Sequence, residues 1–286
     1  MRFLENSFKF FFQNIVFAIP LFIACLIQSI INMTSMNYSK LQDILTILRS
    51  SRQPTAAEMQ QIQEFLMVFS QDSGNFGKLY LVITIVFLLV LPITFGIINR
   101  IYSNGRASLE DIFIELKNNI LKFILYCIAL LLFIAVTIIV TVVVLLIVSL
   151  IANTSQAAYI LISFLLVIAF ILLIVFLINV SIMGYVVVVT EETGVFTGIS
   201  EAMSTIRSYF WPMVGVTMLL GACVSILSSA VVFTPIGKIS GIAAVFSAVL
   251  LTLYWFLLIV FNFEVYRYVA DKNVKTVDQI PNASDL

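Results

Sequence analysis

Residues 123–190 read FILYCIALLLFIAVTIIVTVVVLLIVSLIANTSQAAYILISFLLVIAFILLIVFLINVSIMGYVVVVT. These 68 residues, between Lys122 and Glu191, contain no Asp, Glu, Lys or Arg, whereas one helical crossing of a bilayer needs only about 20 apolar residues. The stretch therefore has to cross a membrane more than once. Residues 153–156, NTSQ, are typical of a tight polar turn and divide it in two. Because the halves show no polar–apolar alternation and lipid cannot satisfy the backbone of an open strand, both are predicted to be helices.

Composition extends this conclusion to the whole chain. Of 286 residues, 62% are hydrophobic and 10% are charged, where a soluble domain has about 25% charged residues. Lys and Arg balance Asp and Glu at 15 each, so no net charge favours nucleic acid as a partner. The chain has no histidine, and Cys25, Cys127 and Cys223 lie in apolar segments without a Cys-x-x-Cys pattern. Histidine-based catalysis, a histidine-ligated metal and a disulfide framework are excluded, and no cofactor is predicted.

Six apolar runs without charged residues predict an all-α, polytopic membrane protein with six transmembrane helices. The predicted spans are 10–33, 79–99, 123–152, 157–189, 209–234 and 241–263. They make up a single transmembrane domain over 1–270, with an outer helical loop at 34–78 and a polar cytoplasmic tail at 271–286. Because no small-x-small cleavage pattern precedes Thr34, the first span is expected to be retained.

The positions of the basic residues predict the orientation. With both termini inside, ten of the fifteen Lys and Arg residues lie in cytoplasmic segments and five lie outside. Four of those five belong to the long loop 34–78, where the positive-inside rule is weaker. The predicted location is the cytoplasmic membrane of a prokaryote.

Helix starts outside the spans are predicted at two places, the first of them with a capping box. Thr55 and Glu58 form one in the outer loop, where apolar residues at helical spacing follow and also precede it. Two short amphipathic helices are predicted there, either as a cap on the bundle or as a docking site for an extracellular partner. The second start is Ser108 to Asp111, on the opposite side of the predicted membrane.

A pattern of apolar and basic residues recurs in the predicted inner segments. In the first copy Ile112 and Leu116 form an apolar face beside Lys117, and the residues 90 positions later form the same face beside Arg207. The N-terminal segment is a fainter copy, with Lys9 at an offset of 108 from Lys117. The sequence thus predicts three hairpins, each preceded by a cytoplasmic, interfacial amphipathic helix.

The interfacial helices are expected to lie in the headgroup plane with their apolar faces down. Lys9, Lys117 and Arg207 would then lie among the lipid phosphates. Internal repeats of this kind occur in transporters, and they also occur in plain structural bundles, so both interpretations stay open.

The last third of the chain resembles a known family. The carriers of this resemblance are MGYVVVVTEETG at 183–194, GISEAMSTIRSYFWP at 198–212 and FEVYRY at 263–268. They are similar to the signature of a six-helix membrane family of bacteria and archaea that includes the membrane domain fused to some glycerophosphodiester phosphodiesterases. The resemblance implies a six-helix fold over nearly the whole chain. Two departures are the sequence MSTIR at 203–207, in place of a basic-Ser-Trp core, and the lack of room for a phosphodiesterase domain after Val265.

The predicted spans contain no ionisable residue. Such residues cost about 2.5–3.5 kcal/mol at the centre of a span and are kept for function, so a proton relay and a voltage sensor are not expected. Glu191 and Glu192 at a span end are interpreted as a solvated turn rather than a cation site. Glu264 and Arg267 are expected to form a surface pair.

Small and amide side chains within the spans predict contacts between helices. Small residues recur every four positions in the last two spans, and they are expected to pack the last hairpin tightly. They are Gly221, Ser225, Ser229, Ala244 and Ala248. A dimer seam or a hydroxyl-lined path is the alternative for this set. Asn179 and Gln28 are expected to form interhelical hydrogen bonds.

The favoured hypothesis is a non-enzymatic multi-pass membrane protein that serves as an accessory, scaffold or lipid-interacting partner of another membrane system. Its expected partners are membrane lipids and either another membrane protein or a second copy of the chain, with no nucleic acid. The alternative is a permease or channel for a small or amphiphilic solute, with a path lined by Asn179, Ser225 and Ser229. A membrane-embedded hydrolase ranks last because the chain offers no base for a nucleophile.

Overall fold

The computed structural model describes residues 2–35, 47, 55, 57–63, 73–152, 156–232 and 240–277. Its helices are α1 (Arg2–Gln13), a 3-10 helix (Ile15–Ala18), α2 (Ile19–Ser35), α3 (Ser73–Asn104), α4 (Asp111–Ala152), α5 (Gln156–Glu191), α6 (Val195–Ser208), α7 (Phe210–Val232) and α8 (Ser240–Val277). The described residues contain no strand.

Among the described residues, six segments are long and apolar enough to cross a membrane. They are Ile15–Asn32, Leu79–Asn104, Asp111–Leu146, Ile162–Glu191, Phe210–Val231 and Gly241–Asp271. The predicted all-α, polytopic fold with six transmembrane helices is therefore confirmed. The chain has the architecture of a multi-pass membrane protein.

The first predicted span, 10–33, is divided in the structure. Its first residues belong to α1, which ends where Asn14 N–H bonds back to Phe10 O at 3.0 Å and its side-chain amide bonds the same carbonyl. Pro20 is the second residue of α2, a position that needs no helical N–H donor. Pro20 therefore begins a helix, whereas Pro92 lies inside α3.

The second amphipathic segment does not form a separate helix. Residues 111–121 are the first turns of the continuous 42-residue helix α4, whereas α1 and α6 are separate from the helices that follow them. No Gly or Pro occurs between Asp111 and Ala152 to interrupt the chain.

Several predictions outside the spans fall partly on residues beyond the described ones. The capping box at Thr55 is confirmed: Thr55 N–H donates to Glu58 Oε2 at 2.7 Å, Glu58 N–H contacts Thr55 Oγ1 at 3.4 Å, and residues 57–63 are helical. Most of the outer loop 34–78, the turn residues 153–155 and residues 278–286 of the predicted tail lie outside the described residues.

The chain forms two compact units. Unit 1 comprises 1–17, 92–222 and 255–286, and unit 2 comprises 18–91 and 223–254. In unit 2 the core includes Leu21, Ala24 and Cys25 of α2. It also includes Ala244 and Ala248 of α8.

Three helices form the core of unit 1. Consecutive residues are buried at 92–98 of α3, 182–189 of α5 and 256–263 of α8, as in helices enclosed on all sides by protein. The first two runs begin 90 residues apart. Asn99 Nδ2 also donates to Val189 O at 3.1 Å, so equivalent turns of the repeat meet. The second helix of each predicted hairpin is thus a core helix.

A pair of tyrosines joins α4 to α5 in unit 1. Tyr126 O–H on α4 reaches Ser181 O at 2.9 Å, and Tyr185 O–H on α5 donates to Asn119 O at 3.1 Å. The rings lie 5.3 Å apart. Beyond this clasp, residues 131–146 and 162–174 include no buried residue. An exposed apolar surface of this kind is suited to lipid.

Candidate functional site

The charged and polar residues of unit 1 gather where α3, α5 and α8 end and where α1, α4 and α6 begin. We call this region the polar end, formed by α1 and residues 99–119, 190–211 and 262–268. Side-chain contacts join all of these segments. The polar end is the candidate site because the remaining parts of the membrane-spanning helices carry so few charged groups.

Arg100 ties the end of α3 to the start of α4. Its guanidinium lies 3.1 Å from Asp111 Oδ1 and 3.0 Å from Glu115 Oε1. Ser108 N–H donates to Asp111 Oδ2 at 2.7 Å, which confirms the helix start predicted from Ser108 to Asp111. One arginine thus neutralises two carboxylates whose side chains are each 12% exposed.

Gly96 makes room for this cluster. Glu115 Oε2 accepts from Asn119 Nδ2 at 2.8 Å. A Cβ atom on Gly96 would lie 2.5 Å from Glu115 Oε2 and 2.6 Å from Asn119 Nδ2. Any larger residue at position 96 would have to displace the carboxylate from its place.

Glu264 is held by residues distant in the sequence. Its carboxylate accepts from Tyr102 O–H at 2.6 Å and from Asn6 Nδ2 at 3.1 Å. Arg267 lies 5.1 Å from the centre of the Tyr102 ring. The surface pair expected from Glu264 and Arg267 thus takes a different form, in which both residues converge on Tyr102.

Aromatic rings fix α1 against the polar end. Phe10 stacks on Tyr102 with ring centres 4.8 Å apart. Phe3 lies 5.3 Å from Tyr268 and 6.4 Å from Tyr209. The apolar face of α1 therefore packs largely on protein, and sequence reasoning missed these contacts because the partners lie far along the chain.

The apolar face of α6 also packs against protein. Ile199, Ala202 and Ile206 are buried, and α6 approaches α5 so closely that a Cβ on Gly198 would lie 2.9 Å from Gly184 O. The expectation that this face points down into the headgroups is therefore wrong. It is covered by α5, and the exposed residues of α6 are Phe196, Arg207 and several with hydroxyl side chains.

A second carboxylate cluster joins α5, α6 and α8. Tyr266 O–H donates to Glu191 through a short hydrogen bond. Partial burial, together with the nearby Glu191 carboxylate, raises the pKa of the Glu201 carboxyl. Glu192 has a φ of 53°, which suits the residue that ends α5. Glu191 and Glu192 are both exposed, as expected for a turn.

The predicted interfacial residues are free of ion pairs within the described part of the chain. Lys9, Lys117 and Arg207 are exposed, and the ion pairs among described residues are those of Arg100. These three side chains are therefore available to a partner outside the chain.

The predicted packing residues fall into two groups. Ala244 and Ala248 are buried, while Gly221 is half-buried and Ser225 and Ser229 are exposed. Their packing role stays a prediction. Because the two serines are exposed, they are placed to contact lipid or a second chain.

The interhelical bond predicted for Asn179 is confirmed. Asn179 Nδ2 donates to Thr217 Oγ1 at 3.0 Å, and both residues are buried. The same Nδ2 also contacts Val175 O at 2.8 Å. This amide is therefore engaged within the bundle, whereas Gln28 Oε1 is buried without a partner among the described residues.

The described residues contain no group of three or more His, Cys, Asp or Glu side chains placed to hold a metal ion. No family model, curated protein or solved structure matches this chain. The resemblance to the six-helix family therefore stays a prediction, and the function has to be argued from the polar end itself.

Proposed function

We propose that the chain is a non-enzymatic multi-pass protein of a prokaryotic cytoplasmic membrane that serves as an accessory, scaffold or lipid-interacting partner of another membrane system. One observation carries the proposal: three carboxylates of the polar end, those of Asp111, Glu115 and Glu264, are bound within the chain, whereas its exposed cations form no ion pair with a described residue. Asp111 and Glu115 pair with Arg100, and Glu264 binds Tyr102 and Asn6. Lys9, Lys117 and Arg207 are among these exposed cations and are open to an external partner.

Contacts between the two ends of the chain support an orientation with both termini inside. Asn6 bonds Glu264, and Phe3 packs on Tyr268. The first and last helices therefore meet at one end of unit 1, as expected after an even number of crossings. The positive-inside rule favours the cytoplasm for this side.

The test is a variant in which Lys9, Lys117 and Arg207 are all changed to Glu. We expect it to lose the partners that in-cell crosslinking captures with the wild type, or to leave the membrane fraction. The matched control is Arg106→Glu, an exposed basic residue in the connection between α3 and α4, which should keep both properties. If the triple variant matched the wild type in both assays, the proposal would be rejected.

The permease alternative has one supporting observation. Asn262 is fully buried in α8 and its Oδ1 has no partner among the described residues, and Asn99 Oδ1 on α3 is also unpartnered. Buried acceptors of this kind are usual where water or a solute enters. Reconstituted vesicles that admitted small neutral solutes, with Asn262→Leu abolishing the flux, would favour this alternative over the accessory role.

A further inference from the structure

We infer that three cation–apolar pairs at the polar end bind anionic phospholipid headgroups. The pairs are Lys9 with Phe12, Lys117 with Leu121, and Arg207 with Trp211. This inference deepens the proposed function, since it rests on the proposed membrane location and names the partner of the free cations. It does not depend on an accessory role for another protein.

In each pair the basic residue comes three or four positions before an exposed apolar residue. In α1 and α4 this spacing places both members of the pair on one face of a helix. The exposed fractions are 68% for Phe12, 65% for Leu121 and 71% for Trp211. These side chains are large, apolar and not used in the protein core, so lipid is the medium that would cover them.

The pair of Arg207 and Trp211 lies across the junction of α6 and α7. Tyr209 N–H bonds Thr205 O at 3.2 Å, and Met213 N–H bonds Tyr209 O at 3.1 Å. Tyr209, with φ −123° and ψ 28°, ends α6, and α7 begins at the next residue. Arg207 and Trp211 match Lys117 and Leu121 at the repeat offset of 90.

Charge selects the kind of lipid. None of the three cations forms an ion pair with a described residue, so each keeps its full attraction for a phosphate anion at short range. The apolar member reaches the acyl boundary, where Trp in particular is enriched. A cation at the level of the headgroups and an apolar side chain at the acyl boundary are together complementary to a lipid whose headgroup has a net negative charge.

This assignment differs from helices that lie flat in the headgroup plane. The apolar faces of α1 and α6 pack largely on protein, and each of the three cations has its own exposed apolar neighbour. The three pairs would therefore act as three discrete headgroup sites on unit 1.

The first experiment uses the full chain in nanodiscs of phosphatidylcholine alone or of equimolar phosphatidylcholine and phosphatidylglycerol. We expect the anionic lipid to raise the Tm of the wild type, and high salt to shrink that increase. A variant with Lys9, Lys117 and Arg207 all changed to Gln should lose most of the increase. The matched control is Arg2→Gln on α1, because the residues one turn after Arg2 are polar, and it should keep the increase.

Two results of this experiment would overturn the inference. One is a wild-type Tm that does not respond to phosphatidylglycerol, and the other is an equal increase in the triple variant. Inorganic phosphate added to phosphatidylcholine discs should leave the Tm unchanged; an equal increase there would assign the site to free phosphate instead of lipid. Because purified protein is used, failure here leaves the crosslinking test of the proposed function intact.

A second measurement determines how deep Trp211, the apolar member of its pair, lies in the bilayer. Trp255 is the other tryptophan of the chain, so Trp255→Phe leaves Trp211 as the single fluorophore. Spin labels at a shallow lipid position should quench Trp211 more strongly than deep labels. Strongest quenching by a deep label, or by an aqueous quencher, would contradict the assignment.

Discussion

At the residue scale, single atoms decide how closely the helices of unit 1 approach one another. Gly184 and Gly198 both belong to the segment that carries the family resemblance, and their role is steric: α6 packs on α5 across their backbones. Glu264 illustrates a different dependence, because its carboxylate relies on one phenol and one amide for its hydrogen bonds.

Gly198→Ala is predicted to destabilise the protein. The added Cβ would lie 2.5 Å from Val188 Cγ2 and 2.9 Å from Gly184 O, and the backbone oxygen cannot move aside. Overpacking of this kind costs about 1–3 kcal/mol in the free energy of unfolding, measurable as a lower Tm in detergent. Gly215→Ala is the control, because nothing lies within 4 Å of its Cβ position, and its Tm should be unchanged or higher. Equal Tm values for the two variants would contradict the close approach.

Tyr102→Phe is predicted to destabilise the polar end while leaving its aromatic packing in place. The ring that stacks on Phe10 remains, but Glu264 Oε1 loses its 2.6 Å hydrogen bond. A part-buried charged acceptor deprived of a donor costs about 1–3 kcal/mol, to be read from chemical unfolding of the detergent-solubilised protein. Tyr80→Phe, at an exposed position of the same helix, should have no effect. A Tyr102→Phe protein as stable as the wild type would show that the bond contributes nothing.

At the element scale, what the sequence predicts depends on the distance over which a signal acts. The helix starts at Thr55 and Ser108 each include a hydrogen bond between residues three positions apart, and both starts are present as predicted. The bond between Asn6 and Glu264 joins residues 258 positions apart, so no local sequence pattern predicts it. The continuity of α4 was missed because a polar first stretch and an apolar second one are equally compatible with a single helix.

The start of α4 is predicted to depend on Asp111 more than on its neighbour Glu110. Asp111→Ala removes both the bond to Ser108 N–H and the 3.1 Å ion pair with Arg100, so the first turn of α4 loses two contacts that fix it. Hydrogen exchange at the first turn of α4 should become faster. Glu110→Ala removes an exposed charge from the turn before α4 and should leave that exchange unchanged; a similar acceleration in both variants would argue against the cap.

At the scale of the whole molecule, the number of crossings follows from hydrophobicity alone, because each span must be long enough for the bilayer. Which helices form the core does not follow, since α4 and α5 are apolar on every side in sequence while only part of each is buried. The exposed cations of the polar end follow from the sequence, whereas the contacts of Glu264 with Tyr102 and Asn6 do not, since those residues lie far apart in the chain.

Thr55 and Arg106 are predicted to lie on opposite sides of the membrane. After Cys25, Cys127 and Cys223 are replaced by Ala, Thr55→Cys should react with a membrane-impermeant maleimide in intact cells. Arg106→Cys should react only after the cells are permeabilised. Both positions are exposed, so reactivity reports the side of the membrane; labelling of both from outside would refute the orientation.

The packing of α1 on α8 has a consequence for biogenesis. Phe3, Asn6 and Phe10 find partners at Tyr268, Glu264 and Phe256, which leave the ribosome some 250 residues later, roughly 12–50 s after α1 at ordinary rates of synthesis. Until then the first helix emerges without its partner and has to be sheltered by lipid or by the insertion machinery. Docking of α1 is therefore expected to be the closing step of assembly, and a nascent chain stalled before Phe256 should expose α1 to protease while the finished chain protects it.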